Sequence, residues 1–365
     1  MGDELRVVHV LGELRASGAE TMLRAGARHF ASHGIESHIL ATGPTIGDYA
    51  PRLANAGYVL HHIPFEPARW FFPRLLAFLA KHRYDVVHVH AERASFWTTL
   101  TAFISGHARV IRTVHNNFQF DGNLRVRREL QRRLLARLGV RYVSISSSVA
   151  RNEKDRYRID TVLIPNWFDS EHFRPPSSTE RASARRVLGY GPDDKVVVSV
   201  GNCNPIKNHV AVLEALTRIP VERRPRYLHV GGEEPGCPER SLARRVGVAD
   251  HVQFVGSLSD AREALWAADA YVMPSHFEGF SIAALEALGV GLPAIVSDAP
   301  GLRDLREWFP DLQLVNGVDE LATALARPVS PADDQPARAR EQFGCADGVT
   351  RYVTLYREVA ARVLA

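Results

Sequence analysis

The sequence predicts an α/β protein made of two doubly wound domains. In the first half of the chain, β-branched runs such as VVHVL (7–11) and DVVHVH (85–90) alternate with segments long enough to form helices. The same alternation restarts at KVVVSVG (195–201) and continues through most of the second half. Short buried runs separated by helix-length segments are typical of βαβ units in a parallel sheet. We therefore expect two such sheets, which face each other across a cleft.

Further elements follow in chain order. A helix is predicted at 19–33, and strands are predicted at 109–115 and 141–146 in the first half and at RYLHVGG, HVQFVGS, AYVMPS and LPAIVSD in the second. The Pro- and Ser-rich segment 173–183 is interpreted as a linker. It separates an N-terminal domain, 1–172, from a C-terminal domain, 173–346. Helical spacing at 347–365 predicts a closing helix that packs on the N-terminal domain.

Composition excludes several other classes of protein. With 365 residues, 45% hydrophobic and 24% charged, the chain can bury large cores and is not a disordered protein. No apolar run reaches the roughly 18 residues of a membrane span, and the N-terminus is interpreted as a strand instead of a signal peptide. Cys203, Cys237 and Cys345 form no CxxC pair, which argues against a disulfide framework or zinc site and predicts a cytoplasmic location.

A strand, a loop and a helix start at 270–289 together predict an anion-binding site. AYVMPS is interpreted as the strand end, HFEG as the loop and FSIAALEALG as the helix. Gly279 allows the backbone to approach a ligand closely, and a helix N-terminus binds phosphate through its N–H groups. The amides placed to do so belong to Phe280, Ser281 and Ile282.

Two glutamates accompany this helix start. Glu278 lies in the loop, and Glu286 lies in an apolar run, where burying an unpaired carboxylate would be costly. At the helical rise they are roughly 10–12 Å apart along the axis. A nucleotide sugar has a matching layout of sugar hydroxyls, diphosphate and ribose diol. We expect Glu278 to accept hydrogen bonds from the sugar and Glu286 to bind the ribose hydroxyls.

These motifs resemble glycosyltransferase family 4, the retaining enzymes of the GT-B fold that carry an E-x7-E signature. The stretch LGELRASGAETMLRAGARHF resembles the family's N-terminal glycine loop and first helix, and VVSVGNCNPIKNHVAVLEAL resembles the element that binds the donor diphosphate. The resemblance covers almost the whole chain, and it implies that the N-terminal domain binds the acceptor and the C-terminal domain binds the nucleotide sugar. It implies that Lys207 stabilises the leaving diphosphate, that Gly18 closes the N-terminal loop over it, and that His115 lies close to the donor sugar and the acceptor.

The sequence departs from the family pattern at three positions. Asn202 stands where an arginine is usual, so a charge-assisted contact with phosphate is lost, although an amide can still bind the donor. Ser17 replaces the first of two glycines in the N-terminal loop, and Trp167 occupies a position where glycine is common. Residues near Val255 and Leu258 are expected to contact the base.

We expect neither a metal nor a cofactor. No Asp-x-Asp pair follows a strand, and no His, Cys and carboxylate residues have the spacing of metal ligands. Lys207 and the helix start would supply the positive charge instead. No basic-aromatic module indicates nucleic acid.

Segment 124–141 has the pattern of a basic amphipathic helix. Its leucines form one stripe and its arginines another: Leu130, Leu134 and Leu138 against Arg125, Arg128 and Arg132. Two interpretations remain open. Either the leucines face the core and the arginines face solvent, or the helix contacts anionic lipid or a phosphorylated acceptor at the inner face of the membrane.

The sequence thus predicts a metal-independent retaining glycosyltransferase of hexosyl or N-acetylhexosaminyl type. It would move a sugar from a nucleoside-diphosphate donor, UDP-linked in preference to GDP-linked, to a hydroxyl acceptor. The expected products are cell-surface polysaccharides and other glycans, glycolipids, or secondary metabolites. Two alternatives stay open: a sugar-nucleotide 2-epimerase of the same fold, which needs no acceptor, and a non-catalytic sugar-nucleotide binder.

Overall fold

The computed structural model describes residues 4–106 and 109–361, and these residues form two compact units. The first unit comprises the described residues up to Phe168 together with those from Gly344 onward. The second unit is Asp169–Phe343. Each unit has its own parallel sheet and its own apolar core.

The first unit is built around a seven-stranded sheet. Its elements in chain order are β1 (Leu5–Leu11), α1 (Gly18–Ser32), β2 (Ile35–Ala41), α2 (Ala50–Asn55), β3 (Val59–His62), α3 (Ala68–His82), β4 (Val86–Val89), α4 (Ser95–Ile104), β5 (Val110–Val114), α5 (Gly122–Arg137), β6 (Arg141–Ser144), α6 (Ser147–Tyr157) and β7 (Val162–Leu163). The strand order is β3-β2-β1-β4-β5-β6-β7, with every pairing parallel. This order places β1, β4 and β5 side by side in the middle of the sheet.

The second unit is built around a six-stranded sheet. Its elements are α7 (Ser178–Val187), β8 (Val196–Val200), α8 (His209–Thr217), β9 (Arg226–Val230), α9 (Pro238–Arg245), β10 (Val252–Phe254), α10 (Arg262–Ala267), β11 (Ala270–Met273), α11 (Ile282–Gly289), β12 (Ala294–Ser297), α12 (Pro300–Arg303), β13 (Gln313–Val315), α13 (Gly317–Ala326) and α14 (Gln335–Phe343). The strand order is β10-β9-β8-β11-β12-β13, again all parallel. The prediction of two doubly wound α/β domains is confirmed.

The last helix, α15 (Cys345–Ala361), belongs to the first unit. It packs on α1, and two of its tyrosines are hydrogen-bonded to the central strands of the sheet. The Tyr356 hydroxyl lies 2.7 Å from His88 Nδ1, and the Tyr352 hydroxyl lies 2.9 Å from Thr113 Oγ1. These bonds join the end of the chain to β4 and β5.

The linker prediction at 173–183 is wrong from Ser178 onward, where α7 begins. The cause is a capping box. The Ser177 hydroxyl accepts the Glu180 N–H, and the Glu180 carboxylate accepts the Ser177 N–H. The Arg174 guanidinium also binds Glu180, and this hydrogen bond, with those from Ser177, lowers the pKa of the Glu180 carboxyl to about 2. Residues 173–177 belong to neither a helix nor a strand.

Trp167, the residue at a position where the family often has glycine, is buried in the first unit. Its indole N–H donates a 2.9 Å hydrogen bond to the Met22 carbonyl. Room for the ring comes from two glycines, Gly26 in α1 and Gly348 in α15. A Cβ atom added at Gly348 would overlap the ring and lie 2.9 Å from its Cδ2 atom. The departure from the family pattern is therefore accommodated by neighbouring residues that have no side chain.

Gly348→Ala is expected to destabilise the first unit by roughly 1–3 kcal/mol, the usual cost of forcing a methyl group into a packed core. The sign of the change in the free energy of unfolding is diagnostic, because alanine at an open position in a helix would stabilise the protein by about 1 kcal/mol relative to glycine. Urea denaturation followed by tryptophan fluorescence measures the change. The same substitution in a Trp167→Leu background should cost less, and an equal cost in both backgrounds would contradict the packing argument.

Candidate functional site

The candidate site of the second unit is built on neighbouring strand ends. The strand order places the carboxyl ends of β10, β9, β8 and β11 side by side, and ligands of parallel α/β sheets bind at such ends. Lys207 lies in the loop after β8, and Glu278 lies in the loop after β11. Lys207 Nζ is 2.5 Å from Glu278 Oε1, and the two side chains are 26% and 12% exposed. The structure thus brings two predicted site residues into one ion pair.

Backbone contacts hold the two loops together around this pair. The His276 N–H donates to the Ile206 carbonyl at 2.8 Å, and the Asn208 side chain donates to the Pro274 carbonyl at 3.2 Å. The aliphatic part of Lys207 passes over Gly201, whose added Cβ would lie 3.6 Å from Lys207 Cε. The position of the ammonium group is therefore set by the strand ends.

Helix α11 begins directly after the Glu278 loop. Ser281 is its N-cap, and its hydroxyl accepts the Ala284 N–H at 3.3 Å. The ring of Phe280 packs against Phe343, with 5.4 Å between centroids, so this residue contributes its side chain to the core. Ile282 is also buried. The predicted donor role of these residues therefore concerns their backbone amides.

Gly301, at the start of α12, was not recognised from the sequence as part of this site. An added Cβ would lie 2.5 Å from the Glu278 carbonyl oxygen and would also overlap the Gly279 carbonyl. Only glycine allows α12 to approach the loop so closely. A sequence signal existed in the tight APG turn after LPAIVSD, but the strand order was needed to connect it with Glu278.

Glu286 lies in the middle of α11 and is only 7% exposed. Tyr271, on the buried strand β11, also lies in this environment. Burial raises the pKa of the Tyr271 hydroxyl well above its usual value, and the nearby carboxylates of Glu278 and Glu286 raise it further. Tyr271 therefore keeps its proton and remains a hydrogen-bond donor beneath the site. The sequence placed it on a strand but gave no sign of this role.

Asn202 connects the loops after β8 and β9. Its side-chain oxygen accepts the Gly232 N–H at 2.8 Å, while the Cys203 N–H donates to the Gly232 carbonyl at 2.8 Å. The amide that replaces the family's arginine thus has a structural partner that an arginine could not bind in the same way. Val255 and Leu258 follow β10 at the same edge of the sheet, and Leu258 is exposed.

Asn202→Arg is expected to preserve or raise turnover and to tighten nucleoside-diphosphate binding, because a guanidinium adds charge where we predict that phosphate binds. Asn202→Asp is the matched control: it keeps an acceptor for Gly232 but adds negative charge, so it should weaken binding. Titration calorimetry measures the nucleoside-diphosphate affinity of both variants, and steady-state kinetics measures their kcat. A loss of affinity in Asn202→Arg together with wild-type affinity in Asn202→Asp would show that the Gly232 hydrogen bond, and not charge, governs this position.

The two remaining predicted site residues, Gly18 and His115, lie in the first unit. Gly18 is the first residue of α1, after Ser17 as N-cap. The Ser17 hydroxyl donates to the Glu20 carboxylate, so the serine that replaces a family glycine fixes the first helical turn. Burial raises the pKa of Glu20, and the Ser17 hydrogen bond opposes this shift. His115 follows β5 and is half-buried, with Nε2 3.0 Å from His90 Nδ1.

A grouping of histidines in the first unit was not recognised from residue spacing. The ring nitrogens of His9, His88 and His90 lie within 4.8 Å of one another and could in principle hold a metal ion. Both nitrogens of His88 are hydrogen-bonded, to Tyr356 and Thr113, and His90 bonds a histidine on either side. Both nitrogens of His88 and both nitrogens of His90 are therefore committed to hydrogen bonds. Independence from metal remains a prediction.

Stability is expected to fall on acidification, because buried histidines in both units stay neutral in the folded state. Burial lowers the pKa of His9 and His209 to about 3 and that of His229 to about 4, from 6.5. Below pH 6.5 the unfolded chain binds protons that the folded chain does not. Each of these histidines therefore lowers the free energy of unfolding by about 1.4 kcal/mol per pH unit until the pH reaches its folded pKa. Denaturation between pH 7.5 and 4.5 measures the slope. His209→Gln should reduce this slope by the contribution of about one proton. An unchanged slope would contradict the claim that His209 stays neutral in the folded state.

The arginine-rich helix α5 buries Leu135 but exposes several of its other apolar residues to solvent. Leu130 and Leu134 are 60% and 46% exposed, whereas Arg132 is buried. Arg132 forms an ion pair with Glu153 at 2.7 Å, and its guanidinium lies 4.2 Å from the centre of the Tyr157 ring. Burial raises the pKa of Glu153, and Arg132 opposes this shift. The interpretation with core-facing leucines and solvated arginines is therefore wrong at these positions.

Comparison with known proteins identifies the family. The profile "Glycosyltransferase Family 4" matches residues 16–172, and "Glycosyl transferases group 1" matches residues 180–310. The D-inositol 3-phosphate glycosyltransferase of Geodermatophilus obscurus is 30% identical, over 90% of this chain and 81% of the relative. The chain belongs to glycosyltransferase family 4. The resemblance found in the sequence is confirmed.

Two further comparisons concern this family 4 glycosyltransferase. The Escherichia coli UDP-Gal:alpha-D-GlcNAc-diphosphoundecaprenol alpha-1,3-galactosyltransferase is 27% identical, over 69% of this chain and 68% of the relative. The crystal structure of Anabaena HepE in complex with UDP-glucose superimposes with a TM-score of 0.79 at 17% identity, covering 98% of this chain and 99% of that one. The structural likeness confirms the GT-B fold. No helix among the described residues is both long and apolar enough to cross a membrane.

Proposed function

We propose that this family 4 glycosyltransferase is a metal-independent retaining enzyme that transfers a hexosyl or N-acetylhexosaminyl group from a UDP-sugar to a hydroxyl acceptor. The observation that carries the proposal is the Lys207–Glu278 ion pair at the start of α11, with Glu286 on the same helix. A cation, a helix N-terminus, one carboxylate in the preceding loop and a second carboxylate on the helix match the diphosphate, the sugar and the ribose of such a donor.

The reaction breaks the bond between the anomeric carbon and the diphosphate oxygen, and the electron pair goes to that oxygen. Lys207 and the amides of Ser281 and Ile282 stabilise the charge that develops there. Glu278 orients Lys207 and accepts hydrogen bonds from the sugar, while Glu286 binds the ribose diol. The acceptor oxygen bonds to the anomeric carbon on the face from which the diphosphate leaves, and its proton passes to a diphosphate oxygen. His115 orients the acceptor hydroxyl.

The choice of uridine over guanosine rests on relatives. The Escherichia coli relative is named for a UDP-galactose donor, and Anabaena HepE was crystallised with UDP-glucose. In this chain, the base would lie near Val255 and Leu258, after β10.

The test is release of UDP or GDP from a panel of nucleotide sugars, with excess EDTA or with magnesium or manganese. We expect equal turnover in all three conditions with a UDP-sugar. Loss of activity on chelation, restored by metal, would overturn the proposed charge stabilisation. Isomerised nucleotide sugar without acceptor would instead indicate an epimerase, and UDP binding without turnover of any donor would indicate a non-catalytic binder.

We further propose that the acceptor is anionic or lipid-linked and that the protein contacts the anionic inner face of the membrane through α5. Leu130 and Leu134 are exposed beside the exposed Arg127 and Arg133, a combination suited to anionic lipid. The neighbouring helix α4 exposes Trp97 to 55%. The Escherichia coli relative, which is named for a diphosphoundecaprenol-linked acceptor, lends support.

Sedimentation with lipid vesicles tests this contact. The protein should bind vesicles containing acidic lipid at low salt, leave them as ionic strength rises, and ignore neutral vesicles. Leu130→Ser/Leu134→Ser should reduce binding, whereas Val187→Ser, at an exposed valine in α7 of the second unit, should not. Equal binding to both kinds of vesicle, or binding to neither, would contradict the proposed contact with anionic lipid and would show that α5 is an ordinary solvent-exposed helix.

A further inference from the structure

Three histidines on adjacent strands of the first unit form a continuous chain of hydrogen bonds. His9 lies in β1, His90 directly follows β4, and His115 directly follows β5. His115 Nε2 lies 3.0 Å from His90 Nδ1, and His90 Nε2 lies 3.1 Å from His9 Nδ1. His9 and His90 are buried, and His115 is half-buried. The chain therefore runs from the strand ends into the core of the unit.

We propose that His90 and His9 are positioning residues that fix the ring and the proton of His115, so that its Nδ1 accepts a hydrogen bond from a substrate hydroxyl. The proposal rests on the function proposed above and extends it to two buried residues. Its basis is that a neutral imidazole has one donor and one acceptor nitrogen. In a chain of three neutral rings, the position of one proton therefore determines the positions of the others.

The chain allows two orders of protons, one with each ring protonated at Nε2 and one with each ring protonated at Nδ1. In the first, His115 donates to His90 and His90 donates to His9. His9 Nε2 has no hydrogen-bond partner among the described residues. The rings of Phe30 and Tyr58 lie around His9, with centroids 5.8 and 6.2 Å away, and aromatic rings tolerate an N–H group. The first order suits this end of the chain, and it leaves His115 Nδ1 with a lone pair.

The environment keeps the inner part of the chain neutral. Burial lowers the pKa of His9 to about 3 and holds the pKa of His90 well below its usual value, helped by the neighbouring histidines. Burial also lowers the pKa of His115, with Glu92 opposing and Arg112 adding to the shift. A positive charge is therefore not passed along the chain. Its effect is to orient His115, which distinguishes it from a proton-conducting relay.

Two substitutions at position 90 separate the two hydrogen bonds. The side-chain oxygen of asparagine can occupy the place of Nδ1, so His90→Asn keeps an acceptor for His115 and loses the bond to His9. Glutamine reaches the place of Nε2, so His90→Gln keeps a partner for His9 and loses the bond to His115. The control is His38→Gln, at a buried histidine of β2 that is hydrogen-bonded to His61 and Glu36 outside the chain.

The experiment is long-range ¹H–¹⁵N correlation of the histidine rings in the whole, substrate-free protein. We expect His115 to be a single tautomer with its proton on Nε2 in the wild type, in His90→Asn and in His38→Gln. In His90→Gln both tautomers should appear. A proton on Nδ1 in the wild type, or an unchanged single tautomer in His90→Gln, would overturn the proposal. Because no substrate is present, this result does not depend on the proposed reaction.

A second measurement follows turnover of UDP-glucose as UDP release. His90→Gln should lower kcat by roughly 100-fold, the cost of a misplaced catalytic contact, while the KM for UDP-glucose changes less than about twofold. His90→Asn should restore most of the activity. Equal losses in both variants would indicate a merely structural role and contradict the proposal. An inactive wild type with every donor would count against the proposed function and leave the tautomer result standing.

Discussion

Lys207→Met is expected to lower kcat by roughly 100- to 1,000-fold, the range found when one preorganised electrostatic contact to a developing charge is removed. Methionine keeps the unbranched side chain as far as the Cε position, and with it the packing over Gly201, but it has no charged ammonium group. Glu278, which is only 12% exposed, also loses its cation and should repel the diphosphate. Steady-state release of UDP from a UDP-sugar measures the effect.

Two variants control for this result. Lys195, exposed at the start of β8, lies at the opposite end of the same strand, so Lys195→Met should have wild-type activity. Lys207→Arg retains the charge and should recover part of the turnover. If Lys207→Met retains more than a tenth of wild-type kcat, the leaving group is stabilised by other residues and the proposed mechanism is wrong.

Glu286→Ala is expected to weaken nucleoside-diphosphate binding by roughly 1–3 kcal/mol, the scale of hydrogen bonds to a charged group. This corresponds to about 5- to 150-fold in Kd. The ribose diol loses its acceptor, and α11 retains its N-cap at Ser281, so the helix should persist. Titration calorimetry with UDP measures the change.

The matched control for Glu286 is Glu214→Ala, at an exposed position of α8 in the same unit. It should bind UDP like the wild type. Glu286→Gln keeps an oxygen acceptor and should lie between the wild type and Glu286→Ala. An affinity for UDP that is the same in Glu286→Ala and in the wild type would remove Glu286 from the donor site.

The fold could be predicted from the sequence because its central strands are apolar runs rich in β-branched residues that alternate with helix-length segments. The short edge strands β3, β7 and β13 have two to four residues each and give no comparable pattern. The capping box at Ser177 and Glu180 was readable in principle, but the prolines and serines around it favoured a linker. The linker prediction followed the local composition and missed the capping box, whose two residues lie three positions apart.

Burial on α5 could not be predicted from helical periodicity. An arginine is expected to face solvent, but Arg132 finds Glu153 on α6, and such a pair offsets much of the cost of burying both charges. Leu130 and Leu134 occupy the face turned away from that pair. The partner helix, which decides the orientation, is not visible from the spacing within α5.

The candidate functional residues also fall into two groups, those that could be predicted from local sequence and those that could not. Lys207, Glu278 and Glu286 follow from a motif that is local in sequence, and the structure adds the ion pair between the first two. The histidine chain combines residues from three strands that are far apart in sequence, so only the strand order β1-β4-β5 reveals it. Contacts that depend on sheet order require the fold before they can be proposed.

The most direct test of the central claim is a thermal-shift titration of nucleoside diphosphates in the presence of EDTA. A ligand that binds the folded state raises the apparent Tm with its concentration. We predict that UDP raises the Tm of the wild type progressively without metal, and that the shift is much smaller in Lys207→Met and Glu286→Ala. A wild type whose Tm is unchanged by every nucleoside diphosphate at millimolar concentration would contradict the account.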